Sequence, residues 1–441
     1  GPQNDPGAEP RVTDPLSEVG GPQNASSTLS PHMSPESQHE TRSRLIGTMF
    51  TGNAFSSTAF IGVVTVSSLI AEQVTASESL SGLPNTLATV GAAAGAAAMS
   101  ALSFRIGRRR TFSIGFALAA IGSILAAVSV GLASLPLLLL AMAVVGFGRS
   151  VSQLARFAAG DLRDVEHRAS AISLIVWAST IGAIAGPLLM GPSGSFASAL
   201  GMNQLVGPIG IGVIGFALAS AVSFIGLRPE PLTLTIAPVG DHPGEPSSFA
   251  EILAIPTVRL AIAALVTSQF VMVLIMTMTP LHIRDHGGSL GVVGIVMMAH
   301  TVGMFAIAPI TGRLVDRHGP RTMIMLAMGT LISAAIIAAS APTANTAVLI
   351  VGLFLLGVGW NFGFVAASAE LQLGLPIADR LKIQGTADSI TWISGGLGAA
   401  LSGVIIGASS YVVLALVGLI FSLAPIPFLI RTENREQRAE T

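Results

Sequence analysis

The 441-residue sequence has no cysteine, a single tyrosine, a single lysine and few charged residues of either sign. Without cysteine it can form neither disulfides nor thiolate metal sites. Only 10% of its residues are charged and its net charge is −1, whereas a soluble domain carries about 25% charged residues. So few charged residues cannot cover the water-facing surface of a soluble protein of this length. The lack of a basic excess argues against nucleic-acid binding. The chain is instead 51% hydrophobic with a mean hydropathy of +0.73, so we expect it to face lipid.

Twelve apolar runs follow one another along the chain, each long enough to cross a bilayer core of roughly 30 Å. Backbone polar groups in lipid need partners within their own segment, and the alternating ten-residue pattern of a β-barrel is absent, so the runs predict helices. The sequence therefore predicts an all-α integral membrane protein with twelve transmembrane helices. The runs lie near residues 45–71, 81–104, 111–131, 135–160, 169–191, 205–227, 259–281, 290–311, 322–340, 346–370, 385–407 and 411–430.

Basic residues concentrate in every second connection between these runs, and we call this side of the bundle the arginine-rich side. Such residues favour the cytoplasm, so we expect both termini there and the protein in the plasma membrane. The opposite side has Arg284 as its one basic residue, together with the acidic Glu72 and Glu78. The residues on the arginine-rich side are Arg42, Arg44, Arg105, Arg108, Arg109, Arg110, Arg163, Arg168, Arg228, Arg259, Arg313, Arg317, Arg321, Arg380, Lys382, Arg431, Arg435 and Arg438.

The chain divides into two six-helix halves that repeat one another. Arg105-x-Gly107-x-Arg109 recurs as Arg317-x-Gly319-x-Arg321, and Arg168 recurs as Arg380, both at an offset of 212 residues. Parallel repeats of six helices are a transporter architecture with a site between the halves. We predict a disordered cytoplasmic tail at 1–41, helical halves at 42–227 and 259–430, a cytoplasmic central loop at 228–258 and a cytoplasmic tail at 431–441.

The charged turn GRLVDRHGPR at 312–321 carries the resemblance to a known family. Its pattern Gly312-x-Leu314-x-Asp316-Arg317-x-Gly319-x-Arg321 resembles the signature of the major facilitator superfamily. The first-half copy has Phe104 in place of the aspartate. In such a turn the glycines allow close packing and positive φ, and the aspartate can accept bonds from arginines or a helix N-terminus. We expect a conformational latch formed by Arg105, Gly107, Arg109, Gly312, Asp316, Arg317, Gly319 and Arg321, with a plain basic turn as the alternative.

The fifth helix carries a second resemblance, to the antiporter signature of drug exporters in this superfamily. It comprises Gly182, Gly186, Pro187 and Gly191. Small residues let a neighbouring helix approach, and proline removes a hydrogen bond and bends the helix, so generic packing is the alternative. The arginine motif typical of the fourth helix in those exporters is not clearly present, because Met142 stands at its arginine position. The resemblance covers about residues 42 to 431 and implies transport.

Polar residues at membrane depth are costly and usually functional. Arg149, Ser152, Gln153 and Arg156 recur at i, i+3, i+4 and i+7, so they share one helix face. We interpret this face as lining a central cavity, with a structural ion pair as the alternative, although no carboxylate lies at the depth of Arg149. Arg156 is nearer the arginine-rich side, where it would extend to the interface or pair with Asp161.

In the superfamily, helices 1, 4, 7 and 10 line the cavity. Our substrate-contact candidates, each with packing as the alternative, are therefore Asn53, Arg149, Gln153, Arg156, Gln269, Trp360 and Asn361. Flexible thioethers suit a pocket for varied apolar shapes or fill the core, and they crowd helices 7 and 8 as Met272, Met276, Met278, Met297, Met298 and Met304.

Two residues are candidates for proton coupling. His300 has an unperturbed pKa of about 6.5, which suits proton pickup, but a lone histidine on an apolar face is more often a packing residue. Asp388 follows the predicted start of helix 11 by one turn, where it would be protonatable or would simply favour the positive helix end. We expect Asp161 and Glu370 to pair with the arginine turns instead.

The sequence favours a secondary transporter that exports small amphipathic organic compounds or drugs in exchange for protons. The alternatives are a proton-coupled importer of a small metabolite, with an anion favoured by Arg149 and Arg156, and more remotely a membrane-embedded enzyme. HExxH and P-loop motifs are absent, so we expect no enzyme, cofactor or ATP drive. We expect no metal, and as partners a small-molecule substrate, protons and the lipid bilayer, without nucleic acid, for a monomer.

Overall fold

The fold is that of a computed structural model, which describes residues 35–75, 80, 82–236, 248–287, 290–341, 345–373 and 375–429. These residues are predominantly helical and contain no strand. The helices are α1 (Pro35–Thr75), α2 (Leu83–Ile106), α3 (Arg108–Gly131), α4 (Leu135–Asp161), α5 (Arg168–Ala199), α6 (Val206–Gly226), α7 (Phe249–Ala254), α8 (Pro256–Asp285), α9 (Leu290–Phe305), α10 (Ala308–His318), α11 (Pro320–Ala339), α12 (Thr346–Glu370), α13 (Ile377–Ala408) and α14 (Tyr411–Ser422).

The described residues form 12 helical segments long and apolar enough to cross a membrane. The prediction of an all-α membrane protein is therefore confirmed. The eighth segment comprises parts of both α9 and α10. The helix is interrupted between them because Pro309, in the first turn of α10, has no N–H to donate back to α9. The short helix α7 lies in the central loop and is not one of the twelve.

Several boundaries differ from the sequence-based prediction. Helix α1 begins at Pro35, within the predicted tail 1–41, and the rest of that tail and residues 431–441 lie outside the described residues. Helix α5 continues to Ala199, past the end of its apolar run. Helix α13 begins at Ile377, well before the predicted start at 385. The prediction followed the apolar run, which excludes the charged Asp379 and Arg380, although both are buried in the first turns of the helix.

The two halves repeat in space with the offset seen in the sequence. The hydroxyl of Ser100 in α2 donates to the carbonyl of Leu381 in α13. At the other contact between the halves, a Cβ built on Gly312 of α10 would lie 2.8 Å from the carbonyl oxygen of Ala169 in α5. Since 312 − 100 and 381 − 169 both equal 212, these two contacts are equivalent. The halves therefore pack against each other through α2 with α13 and α5 with α10.

The turns that end α2 and α10 are equivalent as well. Gly107 and Gly319 follow these helices with φ of 87° and 81°, a conformation that glycine adopts without steric cost. The positive φ expected of Gly319 is thus observed. In the first half the carboxylate of Glu230 accepts bonds from the backbone N–H groups of Arg108, at 2.6 Å, and Arg109, at 3.2 Å. An acid from the central loop therefore stabilises the N-terminus of α3.

Candidate functional site

A cavity of about 340 Å³ lies between the two halves of the bundle. This volume is within the range of pockets that bind small molecules. Helices α1, α4 and α5 line it from the first half, and α8, α9, α12 and α13 line it from the second. Six of the seven predicted substrate-contact residues line this cavity, namely Asn53, Arg149, Gln153, Arg156, Gln269 and Trp360.

The two walls of the cavity differ in chemistry. The first half contributes mainly polar and charged side chains, which are Asn53, Ser57, Arg149, Ser152, Gln153, Arg156 and Ser179. The second half contributes mainly thioethers and aromatic rings, which are Met272, Met276, Met304, Phe305, Trp360, Phe364 and Trp392. A ligand that contacts both walls would therefore need a polar group and an apolar body.

A buried ion pair joins the two walls. Arg156 of α4 binds both carboxylate oxygens of Asp388 of α13, and each residue is at most 2% exposed. The Arg156 Nε also donates to the Ser368 hydroxyl at 3.0 Å, and its Nη1 donates to the Gln153 carbonyl at 2.8 Å. The guanidinium carbon lies 4.2 Å from the ring centroid of Phe364. Arg156 is thus held by groups from both halves of the protein.

This arrangement corrects two expectations. Arg156 neither extends to the interface nor pairs with Asp161, because it faces Asp388 across the cavity wall. Asp388 does not lie one turn into its helix, because α13 begins at Ile377, eleven residues or about three turns earlier. The extra turns bring the carboxylate to the depth of Arg156 and away from the helix N-terminus.

Arg149 lies against the same cavity without an acidic partner. Its guanidinium carbon is 3.8 Å from the ring centroid of Phe60 in α1, which is a cation–π contact. Its Nε is buried and has no hydrogen-bond partner among the described residues. Arg149 forms no salt bridge with any residue that the structure describes. Among these residues, the alternative of a structural ion pair therefore does not apply to it.

Other candidates make hydrogen bonds within the cavity wall. Trp360 Nε1 donates to Gln269 Oε1 at 2.8 Å, and Asn53 Nδ2 donates to the carbonyl of Ile175 at 2.8 Å. Asn361 lies away from the cavity lining, fully buried, where its Nδ2 donates to the carbonyl of Met304 at 2.6 Å. Its side chain therefore packs α12 against α9, which is the alternative given for it.

The two proton-coupling candidates lie in different places. His300 of α9 is buried against α12, where its Nδ1 lies 2.9 Å from the carbonyl oxygen of Leu353. It is not part of the cavity lining. Asp388 lines the cavity. Of the two, the structure thus places only Asp388 where a ligand could affect it directly.

Methionine is distributed unevenly between cavity and lipid. Met272, Met276 and Met304 line the cavity, whereas the side chain of Met298 is 61% exposed on the outside of the bundle. Because Met298 and Met304 lie on the same helix, α9, the rotation of that helix decides which of the two thioethers reaches the cavity.

A second ion-pair network lies on the arginine-rich side. Asp161 at the end of α4 binds Arg108 of α3 through one carboxylate oxygen and Arg380 of α13, at 2.7 Å, through the other. All three side chains are at most 2% exposed. Glu370 binds Arg321 at 3.0 Å. The prediction that these two acids pair with arginine turns is confirmed.

The latch residues do not form one cluster. Asp316 of α10 accepts bonds from the backbone N–H groups of Ala169, at 2.9 Å, and Ser170, at 3.0 Å, at the N-terminus of α5. Arg109 instead donates to the carbonyl of Phe224, and Arg105 lines a separate groove with Phe104. Asp316 therefore joins the halves by binding a helix N-terminus.

We expect Asp316→Asn to slow transport about tenfold while changing substrate affinity less than about twofold. An amide cannot accept two N–H bonds as a charged group does, and the favourable interaction with the helix dipole is lost. Transport and binding would be measured separately in proteoliposomes. Asp285→Asn, an exposed acid at the end of α8, is the matched control, and wild-type turnover in Asp316→Asn would contradict a latch.

The glycines of the α5 motif pack against α1. A Cβ built on Gly182 would lie 2.6 Å from Ser57 Cβ, and one built on Gly186 would lie 2.6 Å from Ile61 Cγ2. Apart from its chain neighbours and its own helix backbone, no described atom lies within 4 Å of a Cβ on Gly191, and the side chain of Pro187 lies outside what is described. Two of the glycines thus allow α5 to approach α1 at the cavity.

Sequence reasoning missed several residues of these networks. The sequence gives no prediction for Phe60 or Phe364, because nothing local marks an aromatic ring as an arginine partner. Ser368 and Trp392 gave no signal beyond their position in apolar runs. The sequence indicates Arg108 only as a basic turn residue, although one arginine of the run 108–110 can be buried while its neighbours are not. The described residues contain no group of three or more His, Cys, Asp and Glu side chains placed to hold a metal ion.

Comparisons with known proteins agree with this architecture. A family model of the Major Facilitator Superfamily matches residues 47–369 and 260–441. The chain is 37% identical to the uncharacterized MFS-type transporter YdeG of Bacillus subtilis (strain 168), over 91% of this chain and 95% of that protein. It is 28% identical to the riboflavin transporter RfnT of Brucella anthropi, over 86% and 93%. The human organic anion transporter MFSD10 (TETRAN) shares the fold, with a TM-score of 0.70 at 14% identity, covering 88% of this chain and 99% of that one.

Proposed function

The chain belongs to the Major Facilitator Superfamily, and we propose that this transporter exports small amphipathic organic compounds or drugs across the plasma membrane in exchange for protons. Its termini would lie in the cytoplasm, on the arginine-rich side. The observation that carries the proposal is the buried pair of Arg156 and Asp388 in the cavity wall.

The pair supports proton exchange because of where it lies. Asp388 is the single acidic residue among the described residues that line the cavity, and the basic ones are Arg149 and Arg156. Protonation of Asp388 would remove the charge that holds Arg156, and with it a link between α4 and α13. Because an unpaired buried charge is costly, Arg156 would then reorient or bind another acceptor. One proton would thus change both the cavity and the contact between the halves.

The second half of the cavity supports an apolar cargo. Met272, Met276 and Met304 can adapt to ligands of varied shape, since an unbranched thioether has three rotatable bonds. Trp360 and Phe364 are stacked with their ring centroids 4.6 Å apart, and they offer a flat face. The packing of Gly182 and Gly186 against α1 is consistent with the resemblance of α5 to exporters.

Import of a small metabolite together with protons is the second candidate. The charge of Arg149 favours it, because an anionic metabolite would find a cation at membrane depth. The similarity to the riboflavin transporter RfnT also shows that the family includes carriers of metabolites. Both candidates use the same cavity and differ in whether the compound moves in the opposite direction to the protons or together with them.

Proton movement in proteoliposomes distinguishes the two. A counterflow screen first identifies a transported compound. Vesicles are then loaded with that compound and a pH-sensitive dye, with the membrane voltage clamped by potassium and valinomycin. Efflux of the compound down its gradient should acidify the lumen if the protein exchanges it for protons. Alkalinisation of the lumen would instead establish symport, and no protein-dependent pH change would refute proton coupling. Protein-free liposomes report leakage of the compound.

A further inference from the structure

Arg149 carries the one charge in the cavity that the described residues leave unbalanced. The charged side chains of the lining are Arg149, Arg156 and Asp388. Asp388 is bound by Arg156, so two positive charges and one negative charge leave a net charge of +1. The ring of Phe60 faces the Arg149 guanidinium, but a ring quadrupole offsets only part of the cost of removing a cation from water.

The position of Arg149 along α4 prevents it from reaching either membrane surface. It lies fourteen residues from Leu135 and twelve from Asp161, the ends of the helix. At 1.5 Å per residue each end is about 20 Å away, which is far beyond the length of an arginine side chain. Arginine keeps its proton in proteins, so a cation stays at the middle of the bundle and needs an acceptor from the ligand or from water.

The opposite wall defines what else the ligand must contain. Phe305 and Trp360 form a T-shaped pair with ring centroids 5.8 Å apart, and Trp360 is stacked on Phe364. The thioethers of Met272 and Met276 continue this surface. Flat aromatic rings pack on such surfaces with offset or edge-to-face geometry. The apolar part of the ligand would therefore be planar.

We propose that the cavity selects planar aromatic organic acids with one negative charge, whose carboxylate binds Arg149 while the ring packs against Trp360 and Phe364. The guanidinium presents a planar fork that matches a carboxylate. One anionic group balances the net charge of the cavity, whereas a cationic compound would add to it. The inference rests on the proposed function only in treating this cavity as the ligand site, and it is independent of the direction of transport and of proton coupling.

Tryptophan fluorescence can measure this binding directly. The chain has three tryptophans, of which Trp360 and Trp392 line the cavity and Trp177 does not. In a Trp177→Phe background, quenching reports on the cavity. The probes are 4-nitrobenzoate and 4-nitrobenzamide, which share a quenching ring and differ in charge. The acid should bind at least about tenfold more tightly than the amide, as expected for a charge-assisted hydrogen bond.

Substitution of Arg149 assigns the preference to that side chain. Arg149→Gln should abolish the difference between acid and amide, and Arg149→Lys should keep part of it, because the charge remains while the fork is lost. Arg110→Gln, an exposed arginine on the arginine-rich side, should keep the full difference. Size-exclusion profiles and thermal melts establish that the variants are folded.

Two results would overturn the inference. One is equal affinity of the wild-type cavity for acid and amide, which requires no variant. The other is an undiminished preference for the acid in folded Arg149→Gln or Arg149→Lys. Failure of the proton-exchange proposal would appear in the luminal pH assay and would leave the preference for the acid intact, so the two proposals fail separately.

Discussion

Replacing Asp161 with asparagine should destabilise the protein by about 3–5 kcal/mol, because it leaves Arg108 and Arg380 buried without their shared counter-charge. Both guanidinium groups are almost completely shielded from water, so solvent cannot replace the carboxylate. Thermal unfolding of the purified protein in detergent should show a markedly lower midpoint.

The control for this prediction is Asp164→Asn, an exposed acid three residues away whose replacement should leave the midpoint almost unchanged. The double variant Asp161→Asn with Arg108→Gln should recover part of the loss, because one of the two unpaired charges is then gone. If Asp161→Asn melts like the wild-type protein, the network is hydrated in the folded state and does not hold the halves together.

Replacing Asp388 with asparagine should abolish proton-driven transport, with a loss of at least about a hundredfold, while exchange of substrate across the membrane continues. An amide has nearly the shape of the carboxyl group but takes up no proton at any pH at which the protein is folded, so no proton can be carried at this position. Counterflow measures exchange alone, and uptake or efflux driven by a pH gradient measures coupling. The rate should also lose its dependence on pH.

His300→Gln is the informative comparison, because His300 is the other candidate for the proton site and lies away from the cavity. We expect this variant to keep its coupling. If His300→Gln loses coupling and Asp388→Asn keeps it, the Arg156–Asp388 pair is structural. Arg156→Gln would further leave Asp388 without its counter-charge, so we expect it to shift the pH at which transport is half-maximal.

The sequence placed the candidate residues on the correct helices more reliably than it identified their partners. The spacing of Arg149, Gln153 and Arg156 fixes their common face, because the helical period is a property of the chain alone. It could not show that Arg156 pairs with Asp388, since a helix that begins at residue 385, as the apolar run predicts, puts Asp388 one turn from its end. Asn361 and His300 both lie within their spans, and only the rotation of α12 and α9 turns them away from the cavity.

The sequence by itself determined the twelve spans, the arginine-rich side and the two repeats with their offset of 212 residues. Each of these follows from local composition, since burial of about twenty residues in lipid and the positions of charges need no knowledge of neighbouring helices. The tertiary structure alone decided which charges meet. Arg156 and Asp388 are 232 residues apart and Arg108 and Asp161 are 53 apart, and a rotation of one helix by a single residue would separate either pair. That is why one buried arginine is paired with an acid while Arg149 is left to face Phe60.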